Sequence, residues 1–207
     1  MRVYRSALVT GAARGLGLGI ATALVARGTH VTMCDIDPGV DDRVSELGAL
    51  AKGVVGDVSG IDVITRSAEQ AREHGGPVDL LINNVGNNLH AELDAPVREL
   101  AASFDATMET NLRAPVLLAR AVLPMMRENG HGHIVNISTD HVHTCGWPDV
   151  LSHENAQHCP FKDEPRPPWG GWPWLFLYDI SKWGLNGLTN VWSRALFEER
   201  IQVNNFC

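Results

Sequence analysis

The sequence predicts an α/β protein in which helices cover both faces of a parallel sheet. Short apolar runs alternate with segments of helical period along most of the 207 residues. Strict alternation of this kind is typical of parallel strands joined by crossover helices. A glycine-rich turn also joins the first apolar run to the first helical segment. The predicted strands are 6–10, 30–34, 53–55, 78–83, 132–138 and 201–206, and the predicted helices are 16–27, 39–50, 62–74, 97–128 and 178–196.

Composition and charge narrow the class of protein. A chain of 207 residues with 44% hydrophobic and 20% charged residues is expected to form one globular domain over 1–207. A net charge of −7 argues against a nucleic-acid partner. The longest apolar run, APVLLARAVLPMM, is interrupted by Arg120 and Pro124, so we expect no membrane span. Four irregularly spaced cysteines and the absence of a signal-peptide pattern favour a cytoplasmic protein with reduced thiols.

The glycine-rich turn is the first motif that indicates chemistry. In VTGAARGLGLG, Gly11, Gly15 and Gly17 allow a tight turn and a close approach of the backbone to a pyrophosphate at the helix N-terminus. Asp35 ends the second predicted strand, 18 residues beyond Gly17, near the spacing expected for an acid that binds the adenosine ribose. The alternatives are an ordinary glycine-rich turn and a solvated carboxylate at a strand end.

Five motifs, in the right order, give the chain a resemblance to the classical short-chain dehydrogenase/reductase family. They are the spacing TGxxxGxG from Thr10, GDV at 56–58, NNVG at 83–86, TNL at 110–112, and IVNIST at 134–139 followed by YxxxK from Tyr178. The resemblance covers 5–139 and 178–207. It implies a Rossmann-type, doubly wound sheet in three α/β/α layers. It also implies a long insertion, 140–177, between the fifth strand and the catalytic helix, and further elements of the fold beyond Cys207.

The resemblance also implies a bound nicotinamide cofactor. Asp35 at the ribose favours NAD over NADP, since its carboxylate would repel a 2′-phosphate. Arg14 favours NADP, because its positive charge can pair with that phosphate. The residues expected to bind the cofactor are Gly11, Arg14, Gly15, Leu16, Gly17, Asp35, Ile36, Asp57, Val58, Asn84, Val85, Gly86, Tyr178 and Lys182.

Tyr178 and Lys182 lie four residues apart, so a helix places them on one face. A phenol has a pKa of about 10, and a nearby ammonium stabilises its phenolate, which makes the tyrosine a better acid or base near neutrality. By resemblance, Asn111 relays the proton and a hydroxyl after the fifth strand polarises the substrate carbonyl. Thr139 occupies the position of the family's serine, and Ser138 precedes it as the alternative donor.

These features predict an NAD-dependent oxidoreductase that moves a hydride between nicotinamide and a secondary alcohol or ketone. The alternatives are an epimerase- or dehydratase-type enzyme that keeps its NAD, and a cofactor-binding protein without turnover. The helices at 97–128 and 178–199 resemble the family's subunit contacts, which implies a homodimer or homotetramer. The simpler interpretation is that their apolar faces only cover the sheet.

The insertion begins with HVHTC at 141–145, three potential metal ligands at alternate positions. The spacings match no standard structural zinc site, and the proposed chemistry needs no metal, so no metal is predicted. Incidental histidines of a surface loop are a second interpretation. We favour a lid or wall over the substrate, rich in tryptophan and proline, with Asp140 and His141 as substrate contacts.

Overall fold

The computed structural model describes residues 3–89, 91–92, 94–139 and 176–207. Its helices are α1 Gly15–Val25, α2 Val40–Leu47, α3 Ile61–Gly75, α4 Val97–Met108, α5 Ala114–Glu128 and α6 Phe176–Ala195. Its strands are β1 Ser6–Thr10, β2 His30–Asp35, β3 Ala51–Val55, β4 Leu80–Asn83, β5 Gly132–Ile137 and β6 Ile201–Phe206. The described strands form one parallel sheet in the order β3-β2-β1-β4-β5-β6. The predicted Rossmann-type class is confirmed.

The sheet is apolar on both faces, as expected when helices cover both sides of a parallel sheet. All five residues of β1 are buried. Ala7 and Val9 belong to a core cluster with α1 and α2, whereas Leu8 faces the opposite cluster with α3 and α5. Successive side chains of one strand therefore pack into two separate hydrophobic clusters, one on each face of the sheet.

The predicted helix 97–128 is interrupted. A π-helical turn, Glu109–Arg113, separates α4 from α5, and the Ala114 N–H donates to the Glu109 carbonyl five residues earlier. Pro115 has no N–H, so it cannot give the Asn111 carbonyl the usual helical hydrogen bond from four residues later. Such π-turns are frequent at functional sites, and this one contains Asn111.

The last helix starts earlier than predicted. It begins at Phe176, inside the predicted insertion 140–177, and the remainder of that insertion, 140–175, lies outside the described residues. Within the part of the chain that the structure describes, no helix is long and apolar enough to cross a membrane.

Candidate active site

The carboxyl ends of the strands meet where the strand order reverses, between β1 and β4. Open α/β sheets bind ligands in the crevice at such a switch point. The glycine turn follows β1, Asp35 ends β2, and the NNVG segment follows β4. The fold therefore brings together motifs that are far apart in the sequence.

The glycine turn can only be built from glycine at its key positions. Gly11 and Gly15 have φ of +64° and +57°, in the left-handed region that side chains disfavour. A Cβ on Gly17 would overlap the Gly11 carbonyl oxygen and lie 2.6 Å from Asn84 Nδ2. The turn thus leaves an open cradle of backbone at the start of α1, which fits a pyrophosphate.

Asn84 holds this turn in place. Its Nδ2 donates to the carbonyls of Thr10 and Gly11, at 2.9 and 3.1 Å. In return, the Thr10 hydroxyl accepts from the backbone N–H groups of Asn84 and Val85, at 3.1 and 3.2 Å. The sequence predicted Asn84 as a cofactor contact, and the structure shows that its side-chain amide binds the backbone of the cradle.

Asp35 is buried at the end of β2 and its carboxylate is already oriented. Oδ2 accepts from the Ala13 N–H at 2.8 Å, and Oδ1 accepts from the Asp37 N–H at 3.0 Å. Each carboxylate oxygen has a second lone pair that can accept a ribose hydroxyl. Ile36 beside it is 66% exposed.

The other predicted cofactor residues lie around the same crevice. Asp57 Oδ1 accepts from the Ser59 N–H at 2.9 Å, which closes the turn after β3. Val58 is buried, whereas Arg14 and Leu16 are exposed beside the glycine turn. The crevice is therefore bordered by the exposed apolar side chains of Leu16 and Ile36 and by the fixed backbone groups of the glycine turn.

Tyr178 and Lys182 share one face of α6, as predicted. The Lys182 Nζ lies 5.5 Å from the centroid of the Tyr178 ring and donates to the Ile137 carbonyl at 2.8 Å. Lys182 is only 3% exposed. Burial lowers its pKa from 10.5 to about 8. With a pKa of about 8, Lys182 is still charged at neutral pH and loses its proton about one pH unit higher.

Asn111 lies fully buried against the NNVG segment. Its Oδ1 accepts from the Asn87 N–H at 2.8 Å, and its Nδ2 donates to the Asn87 carbonyl at 2.8 Å and to Ser181 Oγ at 3.0 Å. A Cβ on Gly86 would lie 3.4 Å from Lys182 Nζ and 3.5 Å from Asn111 Oδ1. Gly86 therefore passes directly between the two polar groups.

Comparison with known proteins identifies the family of this chain. The model of the short chain dehydrogenase family matches residues 5–146. This chain belongs to the short-chain dehydrogenase family.

Several relatives of this short-chain dehydrogenase are known. Galactitol 2-dehydrogenase of Agrobacterium fabrum is 34% identical over 136 residues, which are 64% of this chain and 52% of that protein. The 3-oxoacyl-acyl-carrier-protein reductase of Escherichia coli is 35% identical over 134 residues, which are 64% of this chain and 54% of that protein. The chain thus spans about half the length of these curated relatives.

Solved structures agree on the fold. A metagenomic short-chain oxidoreductase in complex with NADP superposes with a TM-score of 0.73 at 30% identity, covering 97% of this chain and 79% of the other. A putative NAD(P)-dependent gluconate 5-dehydrogenase from Beutenbergia cavernae with bound NADP has a TM-score of 0.75 at 24% identity, covering 97% of this chain and 70% of the other.

Two hydroxyl groups follow β5 in this short-chain dehydrogenase. Ser138 is buried, and its Oγ has no hydrogen-bond partner among the described residues. Thr139 is half-buried and comes next. Asp140, His141 and the rest of HVHTC lie outside the described residues, and within those described no group of three or more His, Cys, Asp or Glu could hold a metal.

Sequence reasoning missed two residues of this site. Ser181 is fully buried, and its Oγ donates to the Tyr178 carbonyl at 2.6 Å while accepting from Asn111. Asn87 donates from its Nδ2 to the Thr110 hydroxyl at 3.0 Å and thus anchors the segment after β4 to the turn that precedes Asn111. The position of Ser181, three residues after Tyr178, was a usable signal, because helical spacing places it beside the tyrosine.

Proposed function

We propose that this short-chain dehydrogenase transfers a hydride between the nicotinamide of NAD and a secondary alcohol or ketone. The observation that carries the proposal is the buried Lys182, held against β5 and stacked near the ring of Tyr178. An exposed helix face, the simplest alternative for a tyrosine–lysine pair, would not bury the ammonium. The glycine cradle and Asp35 supply sites for a dinucleotide on the same edge of the sheet.

Each residue of the proposed active site would have a separate role in the reaction. The Tyr178 hydroxyl exchanges a proton with the substrate oxygen, and the Lys182 ammonium stabilises the phenolate that results. A hydroxyl from Thr139 or Ser138 donates to the substrate oxygen as it gains charge. Asn111, in its π-helical turn, would hold the water molecule through which the proton leaves. The cofactor, when bound by these residues, supplies or accepts the hydride.

A panel of secondary alcohols incubated with NAD, followed by the absorbance of NADH, tests this function. We expect turnover with at least one class of alcohol, and we expect Tyr178→Phe to abolish it while leaving NAD affinity nearly unchanged, because only the titrating hydroxyl is lost. Binding of NAD without any turnover would favour the cofactor-binding protein. Interconversion of substrate isomers without net NADH would favour the epimerase-type enzyme.

The preference for NAD is a second part of the proposal. Two like charges about 4 Å apart repel each other by about 4 kcal/mol at an effective dielectric of about 20, so the Asp35 carboxylate would disfavour a 2′-phosphate. The exposed Arg14 acts in the opposite sense. NADP in the two similar structures is the observation that favours the alternative cofactor.

Kinetics with both cofactors test this preference. We expect a higher kcat/KM with NAD, and a shift toward NADP in Asp35→Ala. Asp62→Ala, which removes an exposed carboxylate from the start of α3, is the control for the change of net charge. A wild-type protein that uses NADP as well as NAD, or better, would contradict the assignment.

A further inference from the structure

Three asparagines lie in a row across neighbouring strands, below the active site. Asn83 of β4 is in register with Asn136 of β5, and Asn136 is in register with Asn205 of β6. Asn83 Nδ2 donates to Asn136 Oδ1 at 2.8 Å. Asn83 and Asn136 are at most 2% exposed, so these two amide groups lie where water does not reach them, whereas Asn205 is half-buried.

The row continues through helix α6. Asn136 Nδ2 donates to Thr189 Oγ1 at 2.8 Å, and the Thr189 hydroxyl lies 2.6 Å from Asn205 Oδ1. Asn205 Nδ2 then donates to Asn186 Oδ1, also at 2.6 Å. The Thr189 hydroxyl also lies 3.0 Å from the Leu185 carbonyl of its own helix, and its single proton favours the shorter contact to Asn205. Each side chain then donates to the next, and aligned hydrogen bonds of this kind strengthen one another in a dry environment.

This chain of hydrogen bonds ends on the helix that carries the proposed catalytic pair. Asn186 and Thr189 follow Lys182 by four and seven residues, so all three face the sheet. Lys182 bonds to the carbonyl of Ile137, and Thr189 bonds to the side chain of Asn136, the preceding residue of β5. Helix α6 is thus fastened to two consecutive residues of one strand.

Apolar and polar side chains share the buried face of this part of α6, where Leu177 and Leu185 are each 1% exposed. From residue 177 to residue 190, the buried positions are Leu177, Ser181, Lys182, Leu185 and Thr189, of which three are polar. On the opposite face, Ile180 and Trp183 are 49% and 52% exposed. Apolar contacts tolerate small displacements, whereas hydrogen bonds fix direction and distance.

We propose that Thr189 is a positioning residue, which joins Asn136 to Asn205 and so holds α6 at the register where Lys182 reaches the Ile137 carbonyl. This proposal deepens the proposed function and rests on it. Thr189 would act through the position of Lys182 and not by contact with substrate or cofactor. Its loss would leave the Asn136 Nδ2 and Asn205 Oδ1 groups without their shared partner and free the helix to shift.

A matched pair of substitutions tests the proposal. Thr189→Val keeps the shape and removes the hydroxyl, whereas Thr189→Ser keeps the hydroxyl. We expect Val to lower kcat about tenfold or more, because small displacements of a catalytic group are costly. Serine should restore kcat. Thr65→Val on α3, where an exposed hydroxyl bonds only to Ile61 of its own helix, is the control and should keep wild-type kcat.

A second readout does not depend on turnover. The rate at which acetic anhydride modifies Lys182, measured by peptide mass spectrometry, reports how well the lysine is buried. We expect faster modification in Thr189→Val and the wild-type rate in Thr189→Ser. Asn205→Ala, at a half-buried position, should give a smaller change in the same direction and serves if the valine variant does not fold.

The two readouts separate the two proposals. Absence of turnover in the wild-type protein would contradict the proposed function, while Lys182 modification would still test the role of Thr189. Unchanged modification of Lys182 in Thr189→Val and Asn205→Ala would overturn the positioning role, whatever the activity. A loss of kcat that serine does not restore would also overturn it.

Discussion

Lys182 is a charged side chain that the fold buries almost completely, with 3% of its surface exposed. Burial disfavours the ammonium, which is why its pKa falls from 10.5 to about 8. Because the folded protein binds this proton less tightly than the unfolded chain does, the Lys182 ammonium lowers the free energy of unfolding. The full penalty is present below about pH 8, and it disappears as the pH rises to 10.5. This lysine is therefore placed for reactivity at a cost in stability.

Lys182→Met should abolish turnover and stabilise the protein at pH 7. Removing the buried ammonium should raise the free energy of unfolding at pH 7 by about 3 kcal/mol, which corresponds to the pKa shift. Loss of the hydrogen bond to the Ile137 carbonyl lowers it by about 1 to 2 kcal/mol. The unfolded state binds more protons between pH 8 and 10.5, so wild-type stability rises over that window and the advantage of the variant shrinks.

Denaturant unfolding at several pH values measures this effect. The exposed Lys52 on β3 offers a control, since Lys52→Met removes a lysine without releasing a buried charge. A difference in unfolding free energy between Lys182→Met and the wild type that stays constant from pH 7 to pH 10.5 would contradict the account.

At the scale of elements, the end of β5 decides which hydroxyl acts on the substrate. Successive residues of a strand point to opposite sides. Ser138 and Thr139 directly follow β5 with a buried and a half-buried side chain, so we expect only one of them to face the ligand. Resemblance favours Thr139. The buried Ser138 hydroxyl, with no partner among the described residues, is the observation that favours the alternative.

Single substitutions distinguish the two hydroxyls. Thr139→Ala should lose most of the activity, and Thr139→Ser should keep or raise it, because serine retains the donor and is less restricted at χ1. Ser138→Ala is the matched comparison and should lower kcat far less. If Ser138→Ala abolishes turnover while Thr139→Ala is silent, the assignment along this strand is wrong by one residue.

Sequence patterns predicted elements better than the contacts between them. The alternation of strands and helices is a local signal, and the structure confirms the fold that it predicts. The four-residue spacing of Tyr178 and Lys182 is also local; the structure has both on one face of α6, and their catalytic role stays a prediction. The π-turn around Asn111 was not predicted, because the helical period continues through it. The row from Asn83 to Asn205 was not predicted either, since it depends on strand register, which joins residues more than fifty positions apart.

Over the molecule as a whole, α4 and α6 carry five of the thirteen exposed large apolar side chains among the described residues. Val97 and Phe104 of α4 are 83% and 42% exposed, and Trp183 and Val191 of α6 are 52% and 64% exposed. Trp183 and Val191 are eight residues apart, so they lie near one face of the helix. Grouped apolar side chains of this kind are typical of contact surfaces between proteins.

We expect a homodimer or homotetramer that uses these helices. Light scattering at micromolar concentration measures the mass, and the double substitution Trp183→Asp with Val191→Asp should shift it toward the monomer, because buried unpaired charges oppose association. Val3→Asp, at a residue that is 71% exposed before β1, is the control and should leave the mass unchanged. A wild-type monomer at this concentration would contradict the expectation.

The proposed hydride transfer between a secondary alcohol and NAD is measured most directly by isotope transfer. A secondary alcohol found active in the panel is labelled with deuterium on its carbinol carbon and incubated with NAD, and the reduced nicotinamide is analysed by mass spectrometry. We expect the deuterium to appear on the nicotinamide in the wild-type protein and in Thr65→Val, and not in Tyr178→Phe. Reduced nicotinamide without the label, or equal labelling by Tyr178→Phe, would contradict it.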